Sequence, residues 1–148
     1  QGIETLSLRM DKHMANTHAL LDYLSGHEQV SWVSHPSLPS HSSHELARKY
    51  LPKGAGSIVS FGVKGGREAG KAFIEACELA SHLANVGDAK TLIIHPATTT
   101  HSRIDAAALK AAGITEDMIR LSVGLEDIAD IKADFDNGFR AARRVAAD

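Results

Sequence analysis

A charged residue inside an apolar run is the feature that most constrains the fold of this chain. Arg120 lies within residues 119–123, Ile-Arg-Leu-Ser-Val, which otherwise have the composition of a buried β-strand. A guanidinium group is rarely buried unless another group pairs with it. No acidic residue lies in this run, so the partner must come from elsewhere in the fold or from a ligand. The position alone leaves both a structural ion pair and an anionic ligand open.

Hydrophobic periodicity and turn residues predict an α+β domain. Strands are predicted at about 30–34, 57–63, 81–86, 91–95 and 119–123, and helices at about 3–24, 42–51, 67–79, 105–113 and 127–145. Ser42 and Glu45 have the spacing of a capping box at the start of the second helix. Strands and helices do not alternate strictly, so we expect a small, largely antiparallel sheet covered by helices on one side.

The opening helix is long for a domain of this size. Six apolar residues recur in it at helical spacing, namely Ile3, Leu6, Met10, Met14, Leu21 and Leu24. A helix of about six turns is typical of a connector that reaches across to another domain. Because residue 1 is not an initiator Met and no strand precedes the helix, we expect the 148 residues to form one domain of a longer polypeptide.

Composition narrows the classes of function. The 16 basic and 18 acidic residues nearly cancel, which argues against a nucleic-acid-binding face. There is no apolar run of membrane-spanning length and no signal-like start. The lone Cys77 excludes an internal disulfide and is typical of a reducing, cytoplasmic setting. Its neighbours Phe73 and Ala80 favour a small core residue over a nucleophile.

Two further motifs are explained without a ligand. His35, His41 and His44 lie on a Pro/Ser-rich loop and a helix start with no cysteine nearby, whereas zinc sites need three or four closely spaced ligands. We therefore expect no metal, and polar side chains on a surface loop. Residues 62–67, Gly-Val-Lys-Gly-Gly-Arg, lack the spacing and the terminal Lys-Ser/Thr pair of a phosphate loop, and they indicate a strand-to-helix turn.

Polar residues from two other segments could converge with Arg120 on an anion. Asn85 precedes Gly87 in a tight turn, and residues 98–100, three threonines, follow the rigid Pro96. An arginine combined with an amide and hydroxyl groups suits a planar carboxylate, which it can bind through two parallel hydrogen bonds. Spacing alone still leaves a structural ion pair open for Arg120.

Longer motifs occur in the order found in one known enzyme family. They are Gly2 with Thr5-Leu6, Arg9-Met10, His13 and Asn16; residues 50–56, Tyr-Leu-Pro-Lys-Gly-Ala-Gly; residues 61–66, Phe-Gly-Val-Lys-Gly-Gly; residues 84–90, Ala-Asn-Val-Gly-Asp-Ala-Lys; residues 95–102, His-Pro-Ala-Thr-Thr-Thr-His-Ser; and residues 120–126, Arg-Leu-Ser-Val-Gly-Leu-Glu. Through these motifs nearly the whole chain resembles the C-terminal small domain of the Cys/Met-metabolism enzymes that use pyridoxal phosphate. It looks most like the O-acetylhomoserine sulfhydrylase branch.

This resemblance implies a role for three residues. Arg120 would bind the α-carboxylate of the amino-acid substrate, Asn85 would contribute through its backbone or amide, and Thr100 would lie near the cofactor–substrate adduct. The Schiff-base lysine and the groups that hold pyridoxal phosphate would belong to a larger domain preceding residue 1. The chain by itself would then contain no catalytic residue, bind no cofactor and be inactive.

The resemblance also implies a reaction and its partners. Sulfide or methanethiol would replace the acetate of O-acetylhomoserine, giving homocysteine or methionine, in a homotetramer with shared active sites. Cystathionine γ-synthase and methionine γ-lyase are alternatives within the family. A free-standing, non-catalytic module that binds a small carboxylate or a protein is the alternative from a different class, and the long apolar helix would then be its interaction surface.

Overall fold

The strand and helix signals correspond to ten regular elements in the part of the chain that the computed structural model describes, residues 2–100 and 105–147. The helices are α1 (Leu6–Ser25), α2 (His44–Tyr50), α3 (Gly66–Ala76), α4 (Ala106–Ala111) and α5 (Ile128–Ala146). The strands are β1 (Val30–Ser34), β2 (Ile58–Val63), β3 (Ser81–His82), β4 (Leu92–Ile94) and β5 (Met118–Ser122). A single 3₁₀ turn, Pro96–Thr98, follows β4.

The five strands form one mixed sheet in the order β1-β2-β5-β4-β3. Strands β1, β2, β5 and β4 pair antiparallel with their neighbours, and only the short β3 runs parallel to β4. This arrangement confirms the predicted α+β class with a mostly antiparallel sheet. Strand β5 lies at the centre, between β2 and β4, so its side chains are flanked on both edges.

Helices cover one face of the sheet, because successive side chains of a strand point to opposite faces and the apolar ones point to the same face. Alternate residues of β2 and β5 are buried in the hydrophobic core, among them Val59, Phe61, Ile119 and Leu121. The rings of α3 and α5 pack against this face, and Phe73 lies edge-on to Phe61 and Phe135. The polar residues between the core positions, Arg120 above all, are therefore directed to the opposite face.

Helix α1 has a different buried face from the one its apolar residues indicate. Ile3 and Leu6 are 86% and 44% exposed. The buried positions are His13, Asn16, Thr17, Leu20, Leu21 and Leu24, which recur at helical spacing. The periodicity thus predicted the helix correctly, but half of its buried stripe is polar. His13 and Asn16 bond to the backbone of the segment after β5, and the Thr17 hydroxyl donates to the His13 carbonyl within α1.

Three local predictions were wrong. Strand β3 has two residues rather than six. Helix α2 begins after Ser43 without a side-chain cap bond, so Ser42 and Glu45 form no capping box. Helix α3 ends at Ala76 rather than Leu79, because the backbone N–H groups of residues 78, 79 and 80 donate to the carboxylate of Asp134 on α5.

The strand-to-helix turn at residues 64–66 is as predicted. Gly65 and Gly66 have φ values of 103° and 69°, which place them in the left-handed region that favours glycine. A Cβ on Gly65 would also lie 2.7 Å from the Cβ of Ala146. The glycines therefore serve the backbone and the close packing of α5, and they do not form a phosphate loop.

Candidate functional site

Arg120 lies in the middle of β5 on the face of the sheet opposite the core. Its cross-strand neighbours are Ser60 on β2 and Ile94 on β4. The residue is partly buried. Among the residues that the structure describes, no carboxylate lies within 4.0 Å of its guanidinium group. A structural ion pair, one of the two explanations left open by the sequence, is thus absent from residues 2–100 and 105–147.

A cavity of 270 Å³ opens beside this arginine. Its lining residues are Ala84, Ile94, Pro96, Thr100, Ile114, Met118 and Arg120. Five of these seven are apolar, so few of the described residues that share the cavity with the guanidinium group are polar. A cation in apolar surroundings favours a bound anion, because charge interactions strengthen where water is excluded.

The structure brings two of the three predicted site residues together. Thr100 lines the same cavity as Arg120, whereas Asn85 is not among the lining residues and its neighbour Ala84 is. The Asn85 side chain is occupied within its own turn: its Oδ1 accepts the Val86 N–H at 2.9 Å and its Nδ2 donates to Asp88 at 3.5 Å. His101 and Ser102, the end of the motif at 95–102, lie outside the described residues.

A carboxylate that the sequence analysis did not single out lies where β5 ends. Glu126 accepts both the backbone N–H and the hydroxyl hydrogen of Thr91, at 2.7 and 2.8 Å. Thr91 is fully buried at the start of β4. Thr91 and Glu126 are 35 residues apart in sequence. The one sequence feature that indicates a close approach of two backbones here is Gly124, two residues before Glu126.

The loop that carries Thr100 is held in place by a buried histidine. His95 is 1% exposed. Its Nε2 donates to the Glu116 carbonyl at 2.8 Å, which leaves Nδ1 to accept from the Thr98 hydroxyl at 2.9 Å. The Nε2 bond links the end of β4 to the turn that precedes β5, and the Nδ1 bond holds the loop after β4, so both walls of the cavity share one support.

Burial of His35 and His95 makes the stability of the chain depend on pH. Desolvation lowers the pKa of both side chains below the ordinary value of 6.5. As the pH falls, the unfolded chain is protonated before the folded one, so protonation favours unfolding. The contribution of the two histidines to the stability of the fold is therefore complete above about pH 6.5 and is lost below it. We expect the unfolding temperature to decrease from about pH 7 to about pH 5, as measured by scanning calorimetry.

Two variants test this assignment. His95→Gln keeps a donor for the Glu116 carbonyl but does not titrate, so its unfolding temperature should change less over the same range. His82→Gln, at an exposed position on β3, should follow the unmodified chain. An unfolding temperature that rises toward acid pH would contradict the argument.

The prediction that the three clustered histidines are polar side chains on a surface loop was wrong for His35, which is buried, whereas His41 and His44 are partly exposed. His35 is 1% exposed, and its two ring nitrogens bond to the backbone of Ser37 and Gly56. His41 and His44 likewise bond to the backbone of Ser43 and Pro36. Within the described part of the chain, no group of three His, Cys, Asp or Glu residues could hold a metal ion.

Cys77 is partly buried against the core. Its Sγ donates to the Phe73 carbonyl at 3.3 Å, and burial raises the pKa of the thiol well above its usual value. Because the thiolate is the reactive form, this cysteine is unsuited to be a nucleophile.

In residues 2–100 and 105–147, no helix is long and apolar enough to cross a membrane.

An arginine beside an apolar cavity on a small α+β domain is suited to bind an organic carboxylate. Comparison of the whole sequence with known families identifies the class of protein. Residues 1–140 match the model of the Cys/Met metabolism PLP-dependent enzymes. The chain belongs to this family, and pyridoxal phosphate is the family's cofactor.

Particular relatives narrow the comparison. The chain is 53% identical to the homocysteine synthase of Schizosaccharomyces pombe over 96% of its length and 33% of that protein. It is 50% identical to O-acetyl-L-homoserine sulfhydrylase 1 of Thermus thermophilus, covering 90% of the chain and 32% of that protein. The chain therefore spans about a third of the length of these curated relatives.

Solved structures agree with the fold. An O-acetylhomoserine (thiol)-lyase of Campylobacter jejuni, which carries a pyridoxyl-lysine group, matches with a TM-score of 0.88 and 39% identity over 95% of this chain and 33% of the other. A cystathionine gamma synthase of Xanthomonas oryzae, in complex with aminoacrylate and cysteine, matches with a TM-score of 0.89 and 35% identity over 97% of this chain and 37% of the other.

The described residues do not fit pyridoxal phosphate itself. The Campylobacter structure joins the cofactor to a lysine, but no lysine lines the cavity beside Arg120. Of the lysines whose side chains the structure describes, only Lys132 is even partly buried, and its ammonium group lies over the ring of Tyr23. We therefore derive no chemical step through the cofactor from these residues.

Proposed function

We propose that this chain is the substrate-carboxylate-binding domain of an O-acetylhomoserine sulfhydrylase. One observation carries the proposal: the guanidinium of Arg120 has no carboxylate partner among the described residues and faces a largely apolar cavity. Relatives named homocysteine synthase and O-acetyl-L-homoserine sulfhydrylase, about half identical to the chain, support the choice of branch.

The reaction proposed for the full-length enzyme is a replacement at Cγ of O-acetylhomoserine. The bond from Cγ to the acetate oxygen breaks, a bond from Cγ to sulfur forms, and acetate departs. Sulfide as the donor gives homocysteine, and methanethiol gives methionine. Pyridoxal phosphate, bound elsewhere in the enzyme, supplies the electron sink for such chemistry.

The role proposed for Arg120 is to hold and orient the substrate. Two parallel hydrogen bonds from the guanidinium to the α-carboxylate fix the direction of the bonds at Cα. Thr100 lines the same cavity and is proposed to lie close to the bound substrate. Asn85, whose side chain is engaged in its own turn, is proposed to contribute through its backbone.

The proposal includes parts outside these 148 residues. A preceding domain would provide the Schiff-base lysine and hold the cofactor, with α1 as the connection, and the enzyme would assemble as a homotetramer. A cytoplasmic location is proposed with it, since a lone cysteine suits a reducing compartment. Reading the coding sequence upstream of residue 1 tests this directly. A large lysine-bearing domain supports the enzyme, and a start codon immediately before residue 1 supports the free-standing module instead.

The 148-residue chain alone is expected to form no covalent adduct with pyridoxal phosphate. A Schiff-base lysine needs a site that holds the cofactor phosphate and ring. Of the lysines whose side chains the structure describes, all but the partly buried Lys132 are exposed. Incubation with the cofactor, borohydride reduction and mass spectrometry should leave the chain's mass unchanged, with the full-length enzyme as the positive control. A single reduced adduct on one lysine would refute the proposed division of labour.

Cystathionine γ-synthase is the second candidate, because the Xanthomonas enzyme of that name shares the fold closely. The two differ in the sulfur compound that attacks Cγ. Turnover of full-length enzyme with sulfide, methanethiol and cysteine in parallel separates them. Preference for sulfide or methanethiol supports the sulfhydrylase, preference for cysteine supports the synthase, and elimination without any acceptor supports methionine γ-lyase.

A further inference from the structure

Glu126 connects two distant segments through one residue. Its Oε1 accepts the Thr91 N–H at 2.7 Å and its Oε2 accepts the Thr91 hydroxyl hydrogen at 2.8 Å. The Thr91 hydroxyl oxygen in turn accepts the N–H of Gly124 at 2.9 Å. Because Thr91 is fully buried, these bonds to a charged group have little competition from water.

Thr91 follows an exposed segment, residues 83–90, and lies directly before β4, where the chain returns to the sheet. Strand β3 precedes this segment and β4 follows it. Thr91 holds both ends, since its carbonyl accepts the N–H of Ser81 at 2.9 Å while its own N–H and hydroxyl bond to Glu126. The Ala89 carbonyl also accepts the Leu125 N–H at 2.8 Å.

Between those ends the segment bonds mainly to its own side chains, those of Asn85 and Asp88. Leu83 and Val86 are 54% and 65% exposed, and residues 83–90 form no strand. The position of the segment therefore depends on its anchors. Ala84, near its start, is a wall of the cavity that contains Arg120.

The segment after β5 is itself built for this close approach. A Cβ on Gly124 would lie 2.3 Å from the Thr91 nitrogen and 2.3 Å from Glu126 Oε2, so no larger residue fits without displacing backbone. From the other side, the Asn16 amide of α1 donates to the carbonyls of Gly124 and Glu126 at 3.0 and 2.9 Å. Helix α1, the segment 83–90 and the end of β5 thus meet at Glu126.

We propose that Glu126 is a positioning residue for the substrate carboxylate: acting through Thr91, it holds the segment 83–90 beside Arg120. The inference rests on the proposed function, because it assigns this structural link to the same carboxylate site. Loss of the link displaces a wall of the cavity without removing the guanidinium. Substrate binding therefore weakens while the group that binds it remains.

The first test replaces Glu126 in the full-length enzyme. Glu126→Ala should raise KM for O-acetylhomoserine about tenfold, since a small displacement of a binding wall has an effect of that order or larger, with a smaller change in kcat. Glu126→Gln keeps the shape and an acceptor for the Thr91 N–H, so it should recover most of the lost affinity. Asp127→Ala is the matched control, since Asp127 caps α5 and has no bond to Thr91.

The second test combines the change with the loss of Arg120. If Glu126 acts on the carboxylate site, Glu126→Ala should raise KM much less in an Arg120→Ala background than in the unmodified enzyme. A general loss of structure would instead raise KM by the same factor in both backgrounds. Equal factors would overturn the inference, as would unchanged KM in Glu126→Ala.

A third pair covers the case in which Glu126→Ala does not fold. Thr91→Val removes the hydroxyl that Glu126 and Gly124 share and keeps the shape, whereas Thr91→Ser keeps the hydroxyl. KM should rise severalfold in the Val variant and remain near the unmodified value in the Ser variant; equal KM values in the two would refute the positioning role. Normal kinetics in Arg120→Ala alone would instead refute the proposed function, so the two failures are distinguishable.

Discussion

Replacing Arg120 with alanine is expected to raise the KM of the full-length enzyme for O-acetylhomoserine by at least about 25-fold. Loss of one partner from a desolvated, hydrogen-bonded charge pair costs about 2–5 kcal/mol, and each 1.4 kcal/mol is about tenfold in affinity. Among the described residues that line the cavity, Arg120 is the only charged one, so that part of the chain offers no second cation. We also expect kcat to fall, because an unheld substrate no longer presents one Cα bond to the reaction. Steady-state kinetics over a range of substrate concentrations measures both effects.

Two further arginine variants define what that result means. Arg120→Lys should recover less than about tenfold of the loss, because an ammonium group cannot make the two parallel bonds of a guanidinium. Arg144→Ala removes an exposed arginine near the end of α5 and should leave the kinetics unchanged. Unaltered KM in Arg120→Ala would remove this residue from the substrate site and leave the cavity without an assigned ligand.

The fold was predictable from the sequence where the hydrophobic pattern and the tertiary packing agree. Strand β1 has the predicted limits, 30–34. Strand β5 and helix α5 begin within about one residue of prediction, because most of their buried residues are apolar and regularly spaced. Strand β3 is shorter than predicted because the segment after it bonds to its own side chains and to the end of β5. Those bonds replace the pairing that would have extended the strand.

The site was only partly predictable for a related reason. Arg120 was conspicuous because a charge interrupts an apolar strand, and the threonines at 98–100 were conspicuous as a polar run after Pro96. Glu126 was not, since an acidic residue at the start of a helix is already explained by the helix dipole. Its bonds to Thr91 exist only in the folded chain, and no local pattern indicates a partner 35 residues away.

The largest stability effect is expected for Phe73→Ala in α3. The Phe73 ring is fully buried and its centroid lies 5.7, 5.4 and 4.8 Å from those of Phe61, Phe135 and Phe139. Removing a buried aromatic ring costs about 3–5 kcal/mol, from lost burial and the cavity left behind. Unfolding of the 148-residue chain in urea, followed by circular dichroism, should show a lower midpoint with an unchanged slope.

The neighbourhood of Phe73 explains why this cavity should not close. Helix α5 already approaches α3 as closely as it can, because a Cβ on Gly138 would lie 2.7 Å from a carbon of the Phe73 ring and 2.9 Å from the Phe73 carbonyl oxygen. The helices are thus spaced by this ring, and Ala at 73 leaves a void that α5 cannot fill without tilting away from the sheet.

Phe73→Leu, which fills part of the void, should lose less than half as much stability. Val145→Ala, at a position 42% exposed, should lose less than about 0.5 kcal/mol. Equal midpoints for Phe73→Ala and Val145→Ala would show that the ring does not set the spacing of the two helices.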